Sequence, residues 1–131
     1  LSTMDNIGSD PYWLDRSHPE RTGAWVYKFV YENTRKNLTV CEETGKGHNI
    51  WVQCFSNPAG YEEDIVYAAE AAYDAGARNI FFWGYKGCEG NEYRAEKPEF
   101  TWRATGDAAL RLLNKERDRV IAAAREELKH V

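Results

Sequence analysis

Three short apolar segments of this chain are each followed by aromatic, amide and carboxylate side chains, the residue types that recognise sugars. In chain order these residues are Asp10, Tyr12, Trp13, Gln53, Asn57, Trp83, Tyr85 and Glu89. The apolar C–H face of a sugar ring stacks on Trp and Tyr, and its hydroxyl groups need hydrogen-bond donors and acceptors. The sequence therefore predicts a carbohydrate ligand, with the six residues other than Asp10 and Glu89 as its contacts.

The two carboxylates of this set, Asp10 and Glu89, are the candidates for catalysis. Glycoside hydrolysis uses two carboxyl groups, about 5–5.5 Å apart in retaining enzymes and about 6.5–9.5 Å apart in inverting ones. Asp10 has the alternative role of an Asx turn before Pro11, and Glu89 that of a solvated loop residue. The sequence thus leaves open whether the chain is an enzyme.

The elements that must position these residues alternate between strand and helix. Between Tyr61 and Glu89, small apolar residues at helical spacing precede Gly76, which can close a helix in the left-handed conformation. The run from Ile80 to Trp83 is continuously apolar, as in a strand covered on both faces. The whole chain reads as strands at about residues 5–9, 49–55 and 79–85 and helices at about residues 19–44, 61–75 and 106–129.

Local signals predict where the first and last helices begin. Pro19 and Glu20 suit a first helical turn, because proline needs no N–H bond there and a carboxylate favours the positive end of the helix. The last helix follows a loop at residues 86–104 and carries an apolar stripe, which is typical of the face that a helix buries. The stripe consists of Leu110, Leu113, Val120, Ile121, Ala124 and Leu128.

This alternation predicts an α/β fold in which three consecutive βα units form a parallel sheet with right-handed crossovers. Such folds bind ligands at the carboxyl ends of the strands, which is where the candidate residues lie. Three strands alone leave one face and both edges of the sheet uncovered. We therefore expect the chain either to pair as a homo-oligomer or to be one piece of a larger barrel.

Composition narrows the range of partners and cofactors. The net charge of -4 and the lack of a basic cluster argue against nucleic acid, whose phosphates need a basic surface. No apolar stretch approaches the about 20 residues that cross a bilayer, so no membrane partner is expected. Without a GxGxxG or Walker A loop, no nucleotide cofactor is expected. The three cysteines are odd in number and lack metal-ligand spacing, which predicts no bound metal and favours a cytoplasmic location.

Three segments resemble the strand ends of a known family: IGSDPYW at residues 7–13, NIWVQCF at residues 49–55 and AGARNIFFWGYKGCE at residues 75–89. They are similar to the last three βα units of a glycoside-hydrolase-like TIM barrel. The resemblance implies the carboxyl-terminal part of a (β/α)8 barrel, a fold of about 250 residues whose first half would be missing here. It also implies that Trp83 forms a platform under the sugar.

One departure from that family concerns the catalytic machinery. By the resemblance, Tyr12, Trp13 and Gln53 would line the cleft, and many retaining members carry a nucleophilic Glu at the end of the seventh strand. The corresponding strand here ends in Gln53 and Phe55, without a carboxylate. The alternative to a hydrolase is therefore a non-catalytic α/β binding or assembly module that oligomerises through its open sheet. A flavodoxin-like domain is disfavoured, because no phosphate-binding loop follows the first strand.

Overall fold

The computed structural model describes residues 3–84, 88 and 90–131. These residues form an α/β fold with three helices and a three-stranded parallel sheet, which confirms that part of the prediction. In chain order the elements are β1 (Asn6–Ser9), α1 (Ala24–Thr44), β2 (Gly47–Gln53), α2 (Asp64–Asp74), β3 (Ile80–Trp83) and α3 (Pro98–Leu128). Three parallel strands do not make a closed barrel, so the (β/α)8 architecture stays a proposal.

β2 is the central strand, with β1 and β3 parallel to it on either side. The register pairs Gly8 with Asn49 across one strand boundary and Gln53 with Trp83 across the other. Because parallel strands run in one direction, all three end at the same edge of the sheet. The loops that follow β1, β2 and β3 therefore begin side by side.

Alternate residues of β2 point toward the helices and form the centre of the core. Ile50 and Val52 are almost completely buried there. α2 packs between α1 and α3, and its core face is largely alanine, which lets the helix approach its neighbours closely. The hydrophobic core thus lies on one side of the sheet.

The other side of the sheet carries an exposed aromatic cluster. The Trp51 ring stacks on Phe81 with centroids 4.6 Å apart and meets the edge of Trp83 at 5.8 Å. Phe81 and Trp83 remain 38% and 51% exposed. No helix covers this face in the part of the chain that the structure describes, as expected for three strands.

α1 begins at Ala24 rather than at residue 19, so Pro19 does not lie in the first turn of the helix as predicted. The residues around Pro19 form a turn instead, with the His18 amide donating to the Asp15 carbonyl at 2.9 Å. Gly23 precedes the helix at φ 57° and ψ -121°, a conformation that favours glycine. These turns form part of the loop that lies over the end of the sheet.

α3 begins at Pro98, earlier than predicted, and its predicted apolar stripe is not the face that it buries. The prediction of a buried stripe is wrong: Leu113 is 68% exposed and Leu128 is 70% exposed. The residues that the helix buries are Thr101, Ala104 and Ala108. These small side chains let α3 pack tightly on α2. Only the first part of this long helix is packed against the rest of the domain.

Candidate ligand-binding cleft

A cleft of about 760 Å³ opens at the edge of the sheet where β1 and β2 end. Residues 14–22, residues 53–61 and residues 92–96 contribute its lining. Parallel α/β folds bind ligands at this edge, and the volume is in the range of small-molecule sites. The cleft is therefore the candidate functional site of the described residues.

Aromatic rings form part of the cleft wall. Phe55, Tyr61 and Tyr93 line the cleft, and the Tyr93 ring meets Phe55 edge to face with centroids 6.3 Å apart. Tyr12 packs on Phe55 in the same manner at 5.0 Å. Tyr61 and Tyr93 are 50% and 52% exposed, so each offers ring surface to a ligand.

Charged and titratable side chains share the cleft with these rings. They are Asp15, Arg16, His18, Arg21, Glu92, Arg94 and Glu96. Asp15 accepts the Ser17 amide at 2.8 Å, and this bond is the main reason that the pKa of Asp15 lies below its ordinary value. Arg21 lies 3.9 Å from the same carboxylate. Asp15 is thus ionised at neutral pH, and it is suited to accept hydrogen bonds rather than to donate a proton.

Hydrogen bonds join the cleft loop at residues 53–61 to the cleft loop at residues 92–96. The Tyr93 carbonyl accepts the Ser56 amide at 2.7 Å and the Ser56 hydroxyl at 3.3 Å. The Glu96 amide donates to the Asn57 carbonyl at 3.0 Å, while the Glu96 carboxylate accepts the Ala59 amide at 2.8 Å. Ser56 adopts φ 57°, a conformation that is uncommon outside glycine and often found at functional sites. This wall of the cleft is pre-formed.

Gln53 links the first cleft loop to the end of β2. Its Oε1 accepts the Trp13 amide at 3.1 Å and the Leu14 amide at 3.3 Å, and its Nε2 donates to the Phe55 carbonyl at 3.2 Å. The side chain is only 3% exposed although it lines the cleft. Both polar atoms of the side chain are hydrogen-bonded to backbone groups, so Gln53 holds the cleft loop in place.

Three other predicted sugar contacts lie against or beneath the cleft lining. Tyr12 is half-buried on Phe55, and burial is the main cause of its raised pKa. Trp13 is 2% exposed and belongs to the hydrophobic core. Asn57 is 1% exposed, and its Oδ1 lacks a hydrogen-bond partner among the described residues. Burial gives Trp13 and Asn57 structural roles, and their predicted ligand contacts stay predictions.

The remaining predicted site residues do not meet in the cleft. Trp83 lies on the open sheet face, and Asp10 is exposed outside the cleft, with its carbonyl accepting the Tyr12 amide at 2.6 Å. Tyr85 and Glu89 lie outside the described residues. The catalytic pair of Asp10 and Glu89 is therefore still only a prediction.

Sequence reasoning missed several cleft residues, among them Arg16, His18, Tyr61 and Tyr93. They lie several positions beyond a strand end, whereas the residues predicted from the sequence lie close to the strand ends. The loop lengths were a usable signal, because long connections at the carboxyl edge of a sheet commonly carry function.

Neither a metal nor a membrane is indicated by the described residues. Among them, no three or more His, Cys, Asp or Glu side chains are grouped so as to hold a metal ion. None of the described helices combines the length and apolarity needed to cross a membrane. Comparisons of the chain with protein-family models, with curated proteins and with solved structures give no significant match.

Proposed function

We propose that this chain binds a carbohydrate in the cleft at the strand ends. The observation that supports this most is the presence of two half-exposed rings, Tyr61 and Tyr93, beside charged side chains in one cleft. The rings suit the C–H faces of a sugar, and the charged groups suit its hydroxyls. A wholly apolar ligand would cover those charged groups and take them out of water, which is costly.

We propose binding rather than hydrolysis, because two of the cleft carboxylates already accept hydrogen bonds from backbone amides. Asp15 accepts the Ser17 amide and lies near Arg21, and Glu96 holds the Ala59 amide. A general acid needs a pKa raised toward neutral pH, whereas that of Asp15 is lowered. Hydrolysis would depend on Glu92 or on residues outside the described ranges.

Replacing either cleft tyrosine by alanine should weaken carbohydrate binding about tenfold or more, which corresponds to about 1.4 kcal/mol. Tyr93→Ala removes the ring but keeps the carbonyl that accepts from Ser56, so the loop should stay in place. Isothermal titration calorimetry against a panel of neutral and acidic oligosaccharides measures the effect. Tyr67→Ala is the matched control, because this tyrosine of α2 is 39% exposed and lies outside the cleft. Equal losses for Tyr67→Ala and Tyr93→Ala would refute the assignment.

We further propose that the three βα units are part of a (β/α)8 barrel. The open aromatic face supports this, since the inner face of such a barrel is filled with packed side chains. Trp51, Phe81 and Trp83 would then point into the interior, with Trp83 at its carboxyl end. The number of strands here is too small to close a barrel without further chain.

The second candidate is an assembly module whose open sheet faces pair between copies. It is supported by the same exposed cluster, because burying Phe81 and Trp83 would remove a contiguous aromatic surface from water. Trp83→Ser should then shift the molar mass measured by light scattering toward that of a monomer. Trp102→Ser, at a 60% exposed tryptophan of α3, is the control. A wild-type chain that stays monomeric at high concentration would rule the module out.

A further inference from the structure

The second half of α3 extends beyond the body of the domain. Glu116 is a point of attachment, since the Tyr73 hydroxyl donates to it at 2.7 Å and Arg78 lies 3.4 Å away. Beyond it, side-chain pairs such as Arg117 with Asp118 and Lys129 with Glu126 stay within the helix and its end. The twelve residues 117–128 make about 18 Å of helix. Most helical stability in proteins comes from the packing of an apolar face, and this segment has no such packing within the described part of the domain.

The exposed part of α3 has a narrow apolar face. At about 100° per residue, the side chains of this face fall within a band about 100° wide. They belong to Leu110, Leu113, Arg117, Val120, Ile121, Ala124 and Leu128. Val120 is 52% exposed and Leu113 is 68% exposed, so this face is open to water. Arg117 is the one charged member.

This face is complementary to itself when one copy is turned end over end. With the two-fold axis between Val120 and Ile121, each of these residues lies level with the other in the second copy. Leu113 then lies level with Leu128, and Arg117 lies level with Ala124. A small alanine opposite arginine leaves room for the arginine stem to lie along the interface while its charge reaches water.

Charge at one border of the face favours the same arrangement. Asp118 and Arg125 lie on the same flank, nearly symmetric about the two-fold axis, so each faces the opposite charge of the second copy. A groove of about 410 Å³ opens beside Leu113; Phe82 and Leu112 give it an apolar floor, and Arg78 and Glu116 also line it. In this register, Leu128 of the second copy lies level with the mouth of that groove.

We propose that α3 pairs in antiparallel orientation with α3 of a second copy of this chain. The interface consists of one helix face. We expect it to bury less surface than the about 1,200 Å² of stable protein–protein interfaces. The dimer is therefore weak and reversible. Neither the cleft nor its ligand takes part in it.

Sedimentation velocity over a concentration series tests the association. The wild-type chain should move from monomer to dimer as concentration rises through the Kd, and Ile121→Glu and Leu128→Glu should remain monomers. Ala122→Glu is the control, because the neighbouring side chain lies on the opposite side of the helix. Glutamate is a good helix former, so circular dichroism at concentrations below the Kd, where all chains are monomers, should show the same helix content for the wild type and the three variants. A monomeric wild type, or a dimer that survives Ile121→Glu, overturns the proposal.

Disulfide cross-linking tests the orientation in a Cys88→Ser background, where Cys41 and Cys54 are buried. In the antiparallel pair, residue 121 lies next to its counterpart, while the two copies of residue 113 lie about 22 Å apart along the axis. Mild oxidation should therefore cross-link Ile121→Cys and leave Leu113→Cys monomeric. Equal cross-linking of both variants indicates a parallel pair and overturns the proposal.

Discussion

Replacing Gln53 by alanine should lower the free energy of unfolding by about 2–4 kcal/mol. The side chain is almost completely buried and makes three hydrogen bonds to backbone groups of two segments. Its removal leaves the amides of Trp13 and Leu14 without their acceptor. An unsatisfied buried donor costs about 1–3 kcal/mol, which is more than a typical hydrogen bond contributes to the free energy of unfolding. The first cleft loop should also lose its attachment to β2.

Urea denaturation of the wild type, Gln53→Ala and Gln53→Met measures this effect. Methionine keeps much of the volume of glutamine but none of its hydrogen bonds, so it separates the lost bonds from the cavity. We expect both variants to be destabilised, with alanine the more affected because it also leaves a void. If Gln53→Met were as stable as the wild type, the three bonds would not hold the loop.

Replacing Asp64 by asparagine should raise the melting temperature at pH 7 by a few degrees. Asp64 is 4% exposed; one carboxylate oxygen accepts the Gly23 amide at 2.8 Å, and the other has no partner among the described residues. Burial, which disfavours the charged form, is the main cause of the raised pKa of Asp64, and the neighbouring Glu63 adds to it. The Gly23 bond opposes this shift without cancelling it.

The sign of the pH dependence follows from the raised pKa. The folded chain holds the Asp64 proton at a pH where the unfolded chain has released it, so stability falls as pH rises through the folded-state pKa. Below the ordinary carboxyl pKa of 3.8, both states are protonated and the gain from Asp64→Asn should vanish. Calorimetry from pH 3 to pH 8 tests this, with Glu43→Gln as the control, because this exposed carboxylate of α1 takes no part in the Asp64 shift. An equal effect of Asp64→Asn at both ends of the range would contradict it.

The strands and the layering were predictable because their signals are local. The apolar run at Ile80–Trp83 and the alternation around Ile50 and Val52 each reflect which faces a strand buries. Parallel order then follows from strand–helix alternation. The small apolar residues at helical spacing before Gly76 similarly predict the helix α2.

The roles of individual site residues were not predictable, because they depend on contacts distant in sequence. Gln53 has the amide of a ligand contact, yet its partners at Trp13 and Leu14 lie some forty positions away. Pro19 carries a helix-start signal that the surrounding turns overrule. The apolar stripe of α3 is expected from the sequence to be buried, yet its residues are exposed. An amphipathic pattern identifies an apolar face, but it does not say what covers that face.

The most direct test of the carbohydrate proposal is to map ligand contacts by ¹H–¹⁵N NMR while titrating the oligosaccharide panel. The proposal predicts concentration-dependent shifts at the amides of Tyr61, Tyr93 and Arg94, on the loops that line the cleft. The indole signal of Trp83, on the open sheet face, should remain unchanged. No shifts with any sugar at millimolar concentration, or shifts confined to Trp83 and its sheet neighbours, would contradict the assignment of the cleft.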